Sequence, residues 1–167
     1  SPPTPMPTSP AEFLAAAEET AGRMGAGALA DRLRSAASRL AAEGESLDRM
    51  ILVLQTASDP VELRRAEKRL AALRSVADPP REVTETIDAL SRLRLASQNA
   101  AARLEAAKSA RASLQGSLRR LHGAARRLAA AKSDAAALAD FQAACQGAVS
   151  EGDTAVATEG ETRAGET

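Results

Sequence analysis

Two side chains in this sequence could attack a substrate or move a proton: His122, the only histidine, and Cys145, the only cysteine. A thiol acts as a nucleophile when a base lies within hydrogen-bond reach. On one continuous helix this pair would stand about 35 Å apart, so no catalytic dyad is expected. One histidine and one cysteine at that separation do not make a metal site either. The carboxylates are scattered over helical faces or used as caps, and no Gly-rich phosphate loop or EF-hand is present. The residues therefore read as those of a non-enzyme, with no catalytic, metal or cofactor-binding residue and no cofactor.

The remaining chemistry is cationic. Residues 103–132 carry Arg103, Lys108, Arg111, Arg119, Arg120, Arg126, Arg127 and Lys132 against Glu105 alone. With Leu114, Leu121 and Leu128 in a helix seam, Arg119, Arg120, Arg126 and Arg127 are expected on the outward face. Such a face could pair with an acidic protein or with phosphates. Nucleic acid is the weaker expectation, because the aromatic rings that stack bases are missing: the chain has two Phe and no Trp or Tyr.

The elements that would carry these residues are helices. Alanine and leucine dominate, and helix formers of this kind with few aromatics favour long helices packed side by side over a thick globule. The lead-in SPPTPMPTSP, residues 1–9 plus Pro10, reads as a Pro-rich linker with two PxxP spacings and several Ser-Pro or Thr-Pro pairs. Ser9, Pro10 and Glu12 spell a helix start, with cap, first-turn proline and capping-box partner. Gly22, Gly25 and Gly27 weaken the helix that follows. Beyond them Leu33, Leu40, Leu47 and Leu54 recur every seven residues beside Ala37, Gly44 and Ile51. That is a coiled-coil seam in which backbones can come close.

Asp59-Pro60 and Asp78-Pro79-Pro80 each stop one helix and start the next without a long loop. Proline disfavours helix in the residue before it, yet suits the first helical turn. The reading is an all-α, elongated antiparallel hairpin or coiled-coil rod with three main helices, about 10–57, 60–76 and 79–147. Residues 10–148 form the helical domain, and 149–167 an acidic tail expected to be disordered. RLRSAASRLAA (32–42) and RLHGAARRLAA (120–130) share the pattern R-L-x-x-A-A-x-R-L-A-A. Their midpoint lies near residue 81, so a fold-back there would oppose the two seams. The alternative topology makes both proline junctions hairpins, with a three-helix overlap.

A narrow apolar stripe leaves surface that a second copy could cover, so a homodimer is expected. Lys and Arg together equal Asp and Glu at 22 each, so net charge selects no partner. No apolar run is long enough to span a bilayer. The chain opens on Ser and a proline tract and reads as a segment of something longer.

Arg outnumbers Lys by 19 to 3, as a GC-rich coding sequence would give. With the proline-rich lead-in, LADRLRSAASRLAAEGESLDRMILVLQ and LRRLHGAARRLAAAKSDAAALADF resemble the central helical stretches of the large tegument protein of alphaherpesviruses. The resemblance covers about residues 10–150 and is one of composition, a texture that Ala-rich helical proteins of actinobacteria share. It implies a segment of a virion protein that links capsid to outer tegument, with tegument and capsid proteins as partners. It also implies location in the tegument and in host cytoplasm or nucleus. That family's deubiquitinase resides in a separate Cys-His-Asp domain, and no residue here matches it.

The expected function is a structural spacer and protein–protein interaction segment of a large scaffold protein. The alternative is a basic coiled-coil module that binds nucleic acid or anionic surfaces through residues 103–132.

Overall fold

The computed structural model describes residues 4–148. The expected acidic tail over 149–167 and the first PxxP proline, Pro2, lie outside the described residues. Within them the chain is all-α, with α1 Pro10–Met24, α2 Ala28–Ala57, α3 Pro60–Arg74 and α4 Arg81–Ala130. A further helix, α5, covers 135–148. The long helices pack against each other. The described residues form two compact units, one of residues 4–48 with 109–148, the other of Arg49–Lys108.

In the first unit, α1, α2, α4 and α5 surround one core that includes Phe13, Leu33, Leu40, Leu118, Leu121, Leu128 and Phe141. Ser9 caps α1: its Oγ accepts from Glu12 N at 3.1 Å, and the Glu12 carboxylate accepts from Thr8 N at 2.8 Å. The Thr8 and Ser9 hydrogen bonds hold the Glu12 pKa below its ordinary value. The chain then leaves the helix at Gly25, whose φ of 81° is open to glycine and costly for other residues. This break replaces the single helix expected over 10–57. α1 turns back along α2, so that Arg34 Nε donates to both Glu18 oxygens at 3.0 and 3.1 Å.

The seam leucines of α2 and α4 are buried, Leu33 at 1% exposure and Leu114 at 1%. The two helices are antiparallel. Asp48 meets Arg111, and a Cβ on Gly44 would stand 3.1 Å from Leu114 Cδ2. The R-L-x-x-A-A-x-R-L-A-A midpoint would oppose Gly44 to Leu118. The observed register is therefore about one helical turn earlier. Pro10 occupies the same gap, 3.0 Å from that Cβ position, and so wedges α1 where glycine leaves room.

The helix expected over 79–147 is also two helices. α4 ends at Ala130, and 131–134 is a turn. Asp134 starts α5, its Oδ1 accepting from Ala136 N at 2.9 Å and Ala137 N at 3.4 Å. An Asx cap is as effective a restart as Asp-Pro and carries no proline to mark it. α5 buries Ala137, Phe141, Cys145 and Ala148 in the core.

In the second unit, Asp59 Oδ1 accepts from Val61 N at 2.9 Å and Pro60 takes the first turn of α3. Asp78 is not a cap: it has φ 48°, and Pro80 O accepts from Val83 N and Thr84 N at 3.0 and 3.2 Å. Helix α4 thus starts at Arg81, two residues later than expected. Proline cannot donate a backbone hydrogen bond, so two in a row extend the corner. Leu54, Met50 and Ile51 pack on Ala100, Leu104 and Ala107, while Arg74 Nη2 reaches Ser91 Oγ at 3.4 Å. Both α2 and α3 lie against α4, with Asp59-Pro60 as a corner in that arm and 75–80 as the return.

The two units differ in how much they bury. Of nine large side chains almost fully withdrawn from solvent, only Leu70 belongs to the second. Leu52 and Val53 in α2 are each 66% exposed, with Leu93 at 55% and Leu95 at 58% in α4.

Candidate interaction grooves

The two copies of the eleven-residue pattern do the same work. Leu33, Ala36, Ala37, Leu40 and Ala41 of the first copy are buried, as are Leu121, Ala124, Ala125 and Leu128 of the second. The Arg-Leu steps of each copy place a leucine in the core and an arginine beside it. The arginines of one copy lie seven residues apart, two turns along one face.

Helix α5 lies between the two copies, and a groove runs along each of its flanks. The first groove has a volume of about 820 Å³ and is lined by Arg32, Ser35 and Arg39 of α2 with Gln142, Cys145 and Gln146 of α5. The second, about 480 Å³, is lined by Ser117, Arg120 and Arg127 of α4 with Asp140, Ala143 and Gly147 of α5. Arg120 Nη2 donates to Ser117 Oγ at 2.9 Å. The Arg120 and Arg127 guanidiniums lie along α4 over Gly116 and Gly123, with Nη1 3.5 and 3.4 Å from where a Cβ would sit. Each groove therefore presents two guanidiniums, a hydroxyl and one carboxylate, Asp31 in the first and Asp140 in the second, over a floor of small side chains.

Arg119, Arg120, Arg126 and Arg127 are all exposed, but they do not act as one patch. Arg120 and Arg127 border α5. Arg126 borders α1 and the lead-in, beside Arg23, His122, Thr4 and Pro7. The seven-residue step groups 120 with 127 and 119 with 126, so neighbouring helices divide the face. The Arg32/Arg39 pair was missed by reading the charge run at 103–132 alone; the repeated pattern was the signal that contained it.

His122 and Cys145 line different surfaces. The imidazole stands edge-on to Phe13, ring centroids 6.0 Å apart. Burial, and then the charge on Arg126, lower its pKa. The Cys145 thiol faces the first groove; burial raises its pKa and Arg32 opposes the shift. Pro7 and Pro10 are buried, so the second PxxP is packed against the bundle instead of being offered as a ligand. Among the described residues, no group of three or more His, Cys, Asp or Glu could hold a metal. No helix among them is long and apolar enough to cross a membrane.

No protein-family model, curated protein or solved structure matches the chain.

Proposed function

We propose that this chain is a structural spacer and protein–protein interaction segment of a larger scaffold protein, and that it engages acidic stretches of its protein partners through the grooves beside α5. The observation that carries this reading is the repeated arginine pair. The same eleven-residue pattern supplies Arg32 and Arg39 to one groove and Arg120 and Arg127 to the other. Guanidiniums bind carboxylates bidentately and keep their charge at any physiological pH. Gln142 and Gln146 add carboxamides able to donate to, and accept from, a peptide backbone. The compositional resemblance to the large tegument protein makes a virion scaffold, with tegument or capsid partners, the setting we propose.

The test compares binding of a glutamate-rich peptide and a DNA duplex to the full chain. Two double variants, Arg32→Glu with Arg39→Glu and Arg120→Glu with Arg127→Glu, are then examined, with circular dichroism as the folding control. Peptide binding that falls at least tenfold in either folded variant supports the acidic-partner reading. Duplex binding with a steep salt dependence, and no peptide binding, overturns it in favour of a nucleic-acid module.

A further inference from the structure

The lead-in meets the bundle in a way that the linker reading does not explain. Gln115 Nε2 donates to Thr8 O at 3.0 Å, Pro7 is buried, and Pro10 fills the space over Gly44. These contacts fix residues 7–10 and direct Thr4-Pro5 across the surface between α1 and α4. There Thr4, itself exposed, lines a small cavity of about 40 Å³ with Arg23, Arg126, His122 and Glu19.

Ser or Thr followed by Pro in an extended, exposed segment is the substrate form of proline-directed kinases. Two such pairs lie within the described residues, and their surroundings differ. Ser9 uses its Oγ as the α1 cap, and the Glu12 carboxylate accepts from Thr8 and Ser9 beside it. A phosphate there would face a carboxylate. Thr4 faces two guanidiniums and an imidazole against the single carboxylate of Glu19. Arg23 is shared with Glu19 at 2.6 Å, whereas Arg126 has no carboxylate partner among the described residues.

We propose that Thr4 is a phosphorylation site and that its phosphate clamps the lead-in onto Arg126 and Arg23. In the modification, Thr4 Oγ1 forms a bond to the γ-phosphorus of ATP while the bond from that phosphorus to the β,γ-bridging oxygen breaks. ADP leaves, and the hydroxyl proton passes to the kinase's catalytic carboxylate. The product carries about −2 charge at neutral pH and three strong acceptor oxygens. Such a group draws Arg23 away from Glu19, because a dianion outcompetes an exposed carboxylate. The segment it ties down is already anchored at Thr8 and Pro10, so little chain entropy opposes the closure.

The test treats the full chain, and separately a peptide of residues 1–9, with a proline-directed kinase and Mg-ATP, and maps the phosphate by mass spectrometry. Phosphorus NMR then follows the phosphate titration, and proton NMR follows His122, whose imidazole is the only one in the chain. Expected is phosphate on Thr4 of the full chain, a titration midpoint lower than in the phosphorylated peptide, and a raised His122 midpoint. Amide exchange at Met6 and Thr8, the two residues of 5–8 that carry a backbone N–H, should slow several-fold. The lowered phosphate midpoint, the raised His122 midpoint and the slowed exchange should all disappear in the Arg23→Gln, Arg126→Gln variant, which alters only exposed side chains. Modification of the peptide but not of the chain would overturn the proposal. So would phosphate on Ser9, or titration and exchange on phosphorylated Thr4 that match the free peptide.

Discussion

Arg111 Nε donates to Asp48 Oδ1 at 2.8 Å and is the start of a chain of polar contacts that ties three segments together. The same guanidinium donates through Nη1 to Gln115 Oε1 at 2.8 Å, and Gln115 Nε2 donates to Thr8 O at 3.0 Å. α2, α4 and the lead-in are thus joined by one relay. Its central member, Arg111, is 17% exposed, and Asp48 is 48% exposed. Solvent screens the carboxylate end, so Asp48→Ala should cost about 1 kcal/mol. Arg111→Ala also loses packing and the Gln115 contact and should cost about 2 kcal/mol. Urea unfolding of the two single variants and the double variant would measure a coupling of about 0.5–1.5 kcal/mol.

Two glycines on neighbouring helices should respond oppositely to alanine. At Gly44 the added methyl would meet Pro10 Cγ at 3.0 Å and Leu114 Cδ2 at 3.1 Å, and at Gly22 it would meet nothing within 4 Å. Neither the proline ring nor the fully buried leucine can move far. Overpacking of about 1–3 kcal/mol therefore outweighs the helix-propensity gain of about 1 kcal/mol. Gly44→Ala should lower the thermal midpoint, and Gly22→Ala should raise it. A rise at both positions would show that Pro10 is free to lift from α2.

These contacts separate what four or five letters can specify from what they cannot. A cap is local, so Ser9-Pro10-Ala11-Glu12 and Asp59-Pro60-Val61 could be read directly, and so could the all-α class from Leu33, Leu40, Leu47 and Leu54. The break at Gly25 is visible in the sequence as weakness but not as a reversal, because reversal depends on Phe13 and Ala17 joining a core that α2 shares with the distant Leu118, Leu121 and Ala125 of α4. Asp134 caps α5 with neither a proline nor a glycine beside it, so the local sequence does not set its start apart from a continuing helix. Without α5 there are no grooves, so the arginines at 120 and 127 were legible while their setting was not. Asp78 shows the converse error, a cap residue whose role was displaced by the second of two prolines.

Stability should fall with acid in two separable steps. His122 has its pKa lowered in the folded chain, chiefly by burial and then by Arg126. Arg23 and Glu19 of α1 also face it. The unfolded chain therefore binds a proton first, near the ordinary histidine value of 6.5. The His122 contribution is complete above that pH and is lost as pH falls from there through the folded pKa. Glu12 is also lowered, by its hydrogen bonds from Thr8 and Ser9, so its contribution is lost below the ordinary value of 4.5. Thermal midpoints measured from pH 8 to pH 3 should show the upper step vanish in His122→Gln and the lower step shrink in Glu12→Gln. An upper step unchanged in His122→Gln would assign it to another group.

Self-association should depend on the second unit. Its buried large side chains are few, yet Leu52, Val53, Leu93 and Leu95 are all more than half exposed. Each such residue forgoes about 1.5–3 kcal/mol of transfer free energy that burial would supply. A second copy of the chain covering Leu52 and Val53 on α2, or Leu93 and Leu95 on α4, would recover part of it. Light scattering coupled to size exclusion should therefore return the mass of a dimer, about twice 17.2 kDa, moving toward monomer on dilution. Leu52→Ser with Val53→Ser, or Leu93→Ser with Leu95→Ser, should weaken the dimer at least tenfold while leaving helicity intact, because none of these side chains is in a core. The pair with the larger effect marks the face that is used. A monomer at every concentration, with the wild-type chain and both variants alike, would show that these side chains remain in water and would overturn the homodimer expected from the sequence.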